Sequence, residues 1–416
     1  MSPDRALISD HPLPKCFAAE LLLIEKGEGV WLEDGQGNRY LDFSGGIAVN
    51  ALGYGREDIA RLAYEQMCKL THISNLFITR PALELGRKMV ASGPFQAVQF
   101  LSSGAEANET ALKYARLYSL RKKGEACHSL LCFTGGFHGR TFGALSVTAN
   151  SKYQDPFHPL LPGVEVRPYN DVEALEKTLD SGYAGVIVEV VQGEGGLASM
   201  SPQFAEALNR LCRRHDVLLI ADEVQTGLGR TGSLFASSGI GLEPDLITLA
   251  KPLAGGLPLA AVLIPEKLNS LIHFGDHGTT FGGGPVTTAV ASRVWDILSD
   301  PQFLAEVREK GVHLRRLLDG LRDRYPFAGE PRGRGLLQGV PVLTERLPAA
   351  ARGREAGDLM AALVAAMRDK GLLVLRSGVN VLRIAPPLVI SVSELGQGAT
   401  IMGEVFDDLA AGRIAI

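Results

Sequence analysis

Cysteine is scarce: the 416-residue chain has five (Cys16, Cys68, Cys127, Cys132 and Cys212), odd in number, scattered and with no CxxC pair. That argues against a disulfide scaffold and a thiolate zinc site, and it fits a reducing compartment. Long hydrophobic runs are missing as well. No apolar stretch approaches the ~20 residues of a membrane span. The one early apolar run, Leu21 to Ile24, is shorter than the ~7–15 residues of a secretory h-region. Positive charge is not in surplus: 42 Lys and Arg face 46 Asp and Glu, a formal charge of −4, so nucleic acid is not an expected partner. There is no internal repeat and no low-complexity tract. What is present is the apolar content of a packed protein, 46% hydrophobic residues, with 48 glycines and 22 prolines. Wholesale disorder is excluded. The length exceeds the ~250–300 residues at which single cores stop growing, so a large domain with smaller parts is expected. The expectation is a cytoplasmic, enzyme-sized protein.

Residues 1–50 read as an N-terminal arm with short strands at Gly29 to Glu33 and Arg39 to Phe43, forming part of a small domain. From 51 to 325 the pattern alternates. Strands are expected at Ala97 to Leu101, Ser129 to Phe133, Val186 to Val191, Val217 to Ala221, Leu246 to Ala250 and Ala260 to Ile264. Helices are expected at Glu106 to Leu120 and Phe204 to Arg214. Such alternation predicts an α/β domain with a mostly parallel sheet flanked by helices. Residues 326–416 read as a small α+β domain. A Gly/Pro/Arg-rich stretch over 326–345 is followed by a helix with Asp358 as N-cap and an apolar stripe of Leu359, Leu363 and Met367. Strands at Leu372 to Leu375 and Val381 to Ile384 and a last helix from Ser391 to Leu409 complete it.

In open α/β sheets ligands bind beyond the carboxyl ends of the strands, which makes polar residues directly after apolar runs informative. Three places stand out. In Leu101-Ser102-Ser103-Gly104-Ala105-Glu106 a strand ends and an alanine-rich helix begins. Its free N–H groups suit an anion, although an ordinary serine N-cap has the same composition. Asp222-Glu223 ends the run VLLIA. A magnesium-holding acid of a nucleotide hydrolase would need a GxxxxGK[ST] loop, which the chain lacks, so the choice is between a structural ion pair and a carboxylate with a cationic partner. Lys251 ends the run DLITLA and precedes the rigid loop PLAGGLP. It is either a desolvated nucleophile of lowered pKa or a lysine that snorkels to water. The GxGxxG match at Gly227 to Gly232 does not open a helix directly at a strand end and reads as a loop. Taken together, an anion cup, a buried carboxylate and a strand-end lysine are what pyridoxal 5′-phosphate requires.

At this point the chain resembles the class III aminotransferases of fold type I, and within them the acetylornithine/ornithine aminotransferase group. The resemblance runs from about residue 15 to residue 410. It is carried by DFSGGIAVN (42–50), SSGAEANE (102–109), FHGRT (137–141), QGEGG (192–196), ADEVQTGLGRTG (221–232), LAKPLAGGLPLAA (249–261), HGTTFGGGP (277–285) and LRIAPPL (382–388). It implies a large cofactor-binding domain plus the small domain, with Lys251 as the Schiff-base lysine, Asp222 as the partner of the pyridine nitrogen and Gln225 as the contact to the ring hydroxyl. It further implies Ser103, Gly104 and Ala105 as the phosphate cup and Phe137 as the ring-stacking aromatic. Thr280 would reach the phosphate of a neighbouring subunit's cofactor, which makes the protein a homodimer. Arg383 would grip the α-carboxylate of glutamate and 2-oxoglutarate, Arg140 the far carboxylate, and Glu194 would neutralise Arg383 when a donor presents a terminal amine. N2-acetyl-L-ornithine is the expected donor, with succinylornithine, ornithine and 4-aminobutyrate as alternatives inside the family and a non-catalytic binding or regulatory protein as the alternative outside it. The sequence departs from the family's habits at Gly284 (often Asn), at Gly55-Arg56 (often His-Pro) and at Val190 (usually Pro). His138 is expected to orient its loop, and His72 to lie near the site entrance.

Overall fold

The computed structural model describes residues 22–124, 127–348 and 355–414; Cys16 and the first part of the arm lie outside them. Three strands come first: β1 (Ile24–Glu28), β2 (Trp31–Asp34) and β3 (Arg39–Asp42). The strand expected over Gly29 to Glu33 begins later, at Trp31 in β2, and its first two residues are the corner of a hairpin. Glu28 stands opposite Trp31, and Gly29 turns the chain at φ +57°, a conformation glycine adopts without steric cost. The helices α1 (Glu57–Lys69) and α2 (Arg80–Val90) follow.

The central sheet is built from β4 (Ala97–Leu101), β5 (Ser129–Phe133), β6 (Val164–Arg167), β7 (Tyr183–Val188), β8 (Leu218–Asp222), β9 (Leu246–Leu249) and β10 (Ala260–Ile264), in the order β4-β10-β9-β8-β7-β5-β6. Only β10 runs against its neighbours. Alternate residues of one strand enter different cores. Leu130 and Cys132 join one cluster and Leu131 and Phe133 the other; Ile220 and Leu219 divide the same way. A sheet apolar on both faces must be covered on both. One cover is α3 (Gly104–Lys123), whose Ala107, Ala111 and Ala115 are fully buried. That seam explains why β7 begins three residues earlier than the sequence suggests. Gly185, read there as a boundary, lies inside the strand, and a Cβ on it would come 2.8 Å from Ala115 Cβ. The other core takes α4 (Pro202–His215), capped by Ser201, and α5 (Pro285–Leu298), which packs on α1 and α2. Each fully buried Leu or Val contributes about 1.5–3 kcal/mol.

The long α6 (Pro301–Arg324) leads to β11 (Arg332–Arg334) and β12 (Leu337–Pro341), two strands concealed by the Gly/Pro/Arg-rich composition. Then come α7 (Ala356–Asp369), β13 (Leu372–Leu373), β14 (Leu375–Ser377), β15 (Val381–Ile384) and α8 (Val392–Ala410). Two expectations change here. Glu355, not Asp358, is the N-cap of α7, and Asp358 lies in its first turn, where a carboxylate still favours the helix dipole. The segment from 372 to 375 is not one strand: β13 pairs with β3, while β14 joins the sheet β11-β12-β15-β14. β1, β2 and β3 thus share a sheet with β13. Trp31 Nε1 also donates to Glu394 Oε1 at 3.0 Å, at the capping box that starts α8.

Candidate active site

The carboxyl ends of β7, β8 and β9 meet the first turn of α3 around a cavity of about 450 Å³. Lys251 stands one residue beyond the end of β9 and opens a single turn of 3₁₀ helix, Lys251–Ala254. Its side chain lines the cavity. Burial pushes its pKa below the ordinary lysine value, and Asp222 pulls the other way. A partly uncharged amine facing a cavity is a nucleophile.

Asp222 is the last residue of β8 and is buried. Its Oδ2 accepts from Asn108 Nδ2 at 2.8 Å and lies 2.7 Å from His138 Nδ1; its Oδ1 accepts from Val224 N–H at 3.0 Å. Burial alone would lower the pKa of His138, yet the hydrogen bond and charge of Asp222, helped by Glu189, raise it. Two donors and an imidazole hold the carboxylate in one orientation, aimed into a dry space. His138 therefore supports Asp222 directly, a closer part than the loop-orienting one expected for it.

Gln225 is buried, and its Oε1 has no hydrogen-bond partner. A buried acceptor left open is costly unless something donates to it. Gly193 stands beside it, and a Cβ there would lie 2.3 Å from that oxygen. At the start of α3, Ser103 is the N-cap, and its Oγ accepts from Glu106 N–H at 3.3 Å. The N–H groups of Gly104 and Ala105, in the first turn, have no intrahelical acceptor, and both residues line the cavity. Gly104 cannot carry a side chain, since a Cβ would meet Val224 Cγ1 at 2.7 Å. An open acceptor, an anchored carboxylate, a free lysine and a helix N-terminus form a cradle whose donor set fits pyridoxal 5′-phosphate.

Phe137 lines the same cavity, and its N–H donates to Glu189 Oε1 at 2.8 Å. Arg140 lies at the rim. Its guanidinium stacks 3.4 Å above the ring of Tyr153, which meets Phe137 edge-on at 6.2 Å. Arg383, on β15, is buried. Its Nη1 donates to Gly193 O at 2.9 Å and forms an ion pair with Glu194. Ser377 Oγ donates to the same Gly193 carbonyl at 2.7 Å. Thr280 is not brought into this cavity. It is exposed, in a smaller cavity of about 140 Å³ with His72 and Gly284, where the His72 ring lies 5.4 Å from that of Phe281.

The sequence reading missed three contributors. Asn108 lies in the SSGAEANE motif but was assigned no role. Tyr153 gave no signal at all. Glu189 had one: a carboxylate inside the β-branched run VIVEVV must be buried. Its Oε2 accepts from Gly193 N–H at 3.1 Å, and burial pushes its pKa up to about 7. Among the described residues no group of three or more His, Cys, Asp or Glu is arranged to hold a metal, and no helix is long and apolar enough to cross a membrane.

A two-faced α/β sheet that brings a lysine, a carboxylate and a helix N-terminus to its strand ends defines a transferase built around an aldehyde cofactor. The chain belongs to the class-III aminotransferases, whose family model matches residues 17–406. The acetylornithine aminotransferase of Shewanella oneidensis is 40% identical over 382 residues, covering 92% of each chain. Two solved structures are also similar. The N-acetylornithine aminotransferase of Stenotrophomonas maltophilia K279a superposes with a TM-score of 0.82 at 31% identity, covering 98% of this chain and 100% of that one. The ornithine aminotransferase of Toxoplasma gondii, with partial occupancy of PLP at its active site, gives 0.90 at 31% identity, covering 97% and 93%.

Proposed function

We propose that this chain is a pyridoxal 5′-phosphate-dependent aminotransferase that moves the terminal amino group of N2-acetyl-L-ornithine to 2-oxoglutarate, giving the semialdehyde and L-glutamate. The observation that carries the substrate reading is the ion pair between buried Arg383 and half-exposed Glu194 beside the cavity that Lys251 lines. The cofactor would be held by Gly104 and Ala105 N–H groups and Ser103 at its phosphate, by Gln225 at its ring hydroxyl, by Asp222 at its ring nitrogen, by Phe137 at its ring and by Lys251 at its aldehyde. When bound it supplies an electron-accepting ring that stabilises negative charge on the donor carbon.

The chain's own groups do the rest. Lys251 Nζ, whose burial favours the neutral amine, takes a proton from the amine-bearing carbon of the donor. Asp222, oriented by Asn108 and His138, keeps a proton on the ring nitrogen. Leu257 and Pro258 add apolar surface to the cavity lining. With N-acetylornithine in place, Glu194 stays on Arg383 and Arg140 takes the donor's carboxylate. With 2-oxoglutarate, a substrate carboxylate displaces Glu194 from the Arg383 fork, a bidentate task suited to guanidinium. One cavity then serves two substrates in turn, which is the structural basis of ping-pong kinetics.

We also infer a cytoplasmic homodimer. Leu76, Phe77, Ile78 and Phe281 are all more than two-thirds exposed; Phe77 and Ile78 line the small cavity of Thr280, and Leu76 and Phe281 adjoin these residues in the chain, an apolar patch that a partner subunit would cover. Thr280 would then serve the partner's cofactor. A donor panel with 2-oxoglutarate as acceptor tests the substrate reading. N-acetylornithine is expected to have the highest kcat/KM among N-acetylornithine, N-succinylornithine, ornithine and 4-aminobutyrate. A higher kcat/KM for any of the other three donors would overturn it.

A further inference from the structure

Away from the active site a second cavity, about 460 Å³ in volume, opens between the loop from Thr231 to Ile240, helix α6 and the β11–β12 hairpin. Four guanidiniums line it: Arg308, Arg315 and Arg316 from α6 and Arg334 from β11. No carboxylate is among its lining residues, and none of the four forms an ion pair within 4 Å among the described residues. Three of them are held by backbone carbonyls. Arg308 Nη1 donates to Gly232 O at 2.6 Å, Arg315 Nη2 to Gly333 O at 2.9 Å and Arg334 Nη2 to Met200 O at 3.4 Å. These contacts orient the charges without neutralising them. Another arginine-lined surface cavity shows the contrast: there Arg210 pairs with Glu176 and Arg213 with Glu243.

A second observation is independent of charge. Gln338, only 2% exposed, lines this cavity with an unpartnered Oε1. The orientation of its amide is fixed by Nε2, which donates to Gly311 O at 2.7 Å and to Gly335 O at 2.6 Å. Thr231 Oγ1 and Arg334 Nε, in the same lining, are buried without partners too. Buried polar atoms in a folded protein are nearly always satisfied. An unpartnered acceptor, hydroxyl and donor, all carried by residues that line a single cationic cavity, suit a small anion that also carries a hydroxyl.

We propose that this cavity is a binding site for a small hydroxylated polyanion, a phosphate monoester or a polycarboxylate. The oxygens would meet the guanidiniums, and the hydroxyl would donate to Gln338 Oε1. Forked guanidinium contacts suit either anion. The site is separate from the phosphate cup of α3 and from Arg383.

Calorimetric titration of the cofactor-loaded enzyme decides the matter. Glycerol 3-phosphate and citrate are the two anionic arms, and glycerol is the uncharged control. At least one anion should bind, and its affinity should fall as salt is raised. Arg316→Ala and Arg308→Ala should each weaken it by about ten-fold or more, the loss expected for one hydrogen bond to a charged group. Both arginines are exposed, so these variants should fold and transaminate as the parent does. Which arm binds identifies the anion class. No binding of either anion at millimolar concentration overturns the proposal. So does binding that both variants leave unchanged, which would place the anion elsewhere.

Discussion

Replacing Glu194 with alanine is the sharpest test of the two-substrate arrangement. The Arg383 side chain is 5% exposed and that of Glu194 is 31% exposed. A fully exposed pair is worth about 0–1 kcal/mol, and breaking a fully buried one costs about 3–5 kcal/mol. With one partner dry and the other a third wet, about 1–2 kcal/mol is expected, a factor of roughly 5–30. The sign depends on the substrate. Without Glu194, a donor that presents a terminal amine meets an uncompensated guanidinium, so its kcat/KM falls. Glutamate and 2-oxoglutarate no longer compete with an internal carboxylate, so theirs is held or rises. The ratio of kcat/KM for N-acetylornithine to that for glutamate should therefore drop roughly 5- to 30-fold. Glu194→Gln, which keeps an acceptor and loses the charge, should lie between. Each half-reaction is followed alone, by the absorbance change of the cofactor under single-turnover conditions. Arg383 keeps its bond to Gly193 O, so the variant should remain folded. An unchanged ratio, or an equal loss for both substrates, would refute the reasoning.

Lys251→Ala should abolish transamination while leaving the fold intact, and borohydride treatment followed by peptide mapping should then find no cofactor at position 251. In the apoenzyme the raised pKa of Glu189, from 4.5 to about 7, has a definite sign. Between those values the folded state holds a proton that the unfolded state has released, so this group's contribution to stability is lost as pH rises from about 4.5 to 7. Thermal melts of Glu189→Gln should show a smaller decline over that window than the parent, and an equal decline would count against the assignment. Gly398→Ala, in the middle of α8, would ordinarily gain about 1 kcal/mol of helix propensity. Here the new Cβ would sit 2.1 Å from Phe43 Cζ, so a net loss of about 1–3 kcal/mol is expected by urea denaturation.

Much of the site was legible because its parts are local. Asp222 ends an apolar strand, and Lys251 and the Ser103–Ala105 turn come within two residues of one; a strand end in an α/β sheet is a known place for ligands. β4, β5 and β10 match their expected bounds because their turn signals flank them closely. Other elements were harder to read. The hairpin at Gly29, the early start of β7 at Tyr183 and the split at Val374 each depend on a neighbour far away in the chain. β11 and β12 carry glycine and proline that read as loop until β15 is beside them.

The sequence alone determined which residue types stand at strand ends and helix starts, because apolar periodicity and turn chemistry act over a few residues. Only the tertiary structure decided their partners. Asn108 and His138 meet Asp222 across 114 and 84 residues of chain, Glu194 meets Arg383 across 189, and Gln225 and Gln338 are left with open acceptors. Desolvation and hydrogen-bond geometry belong to the packed environment of a group, and that environment comes into being only when distant segments close around it.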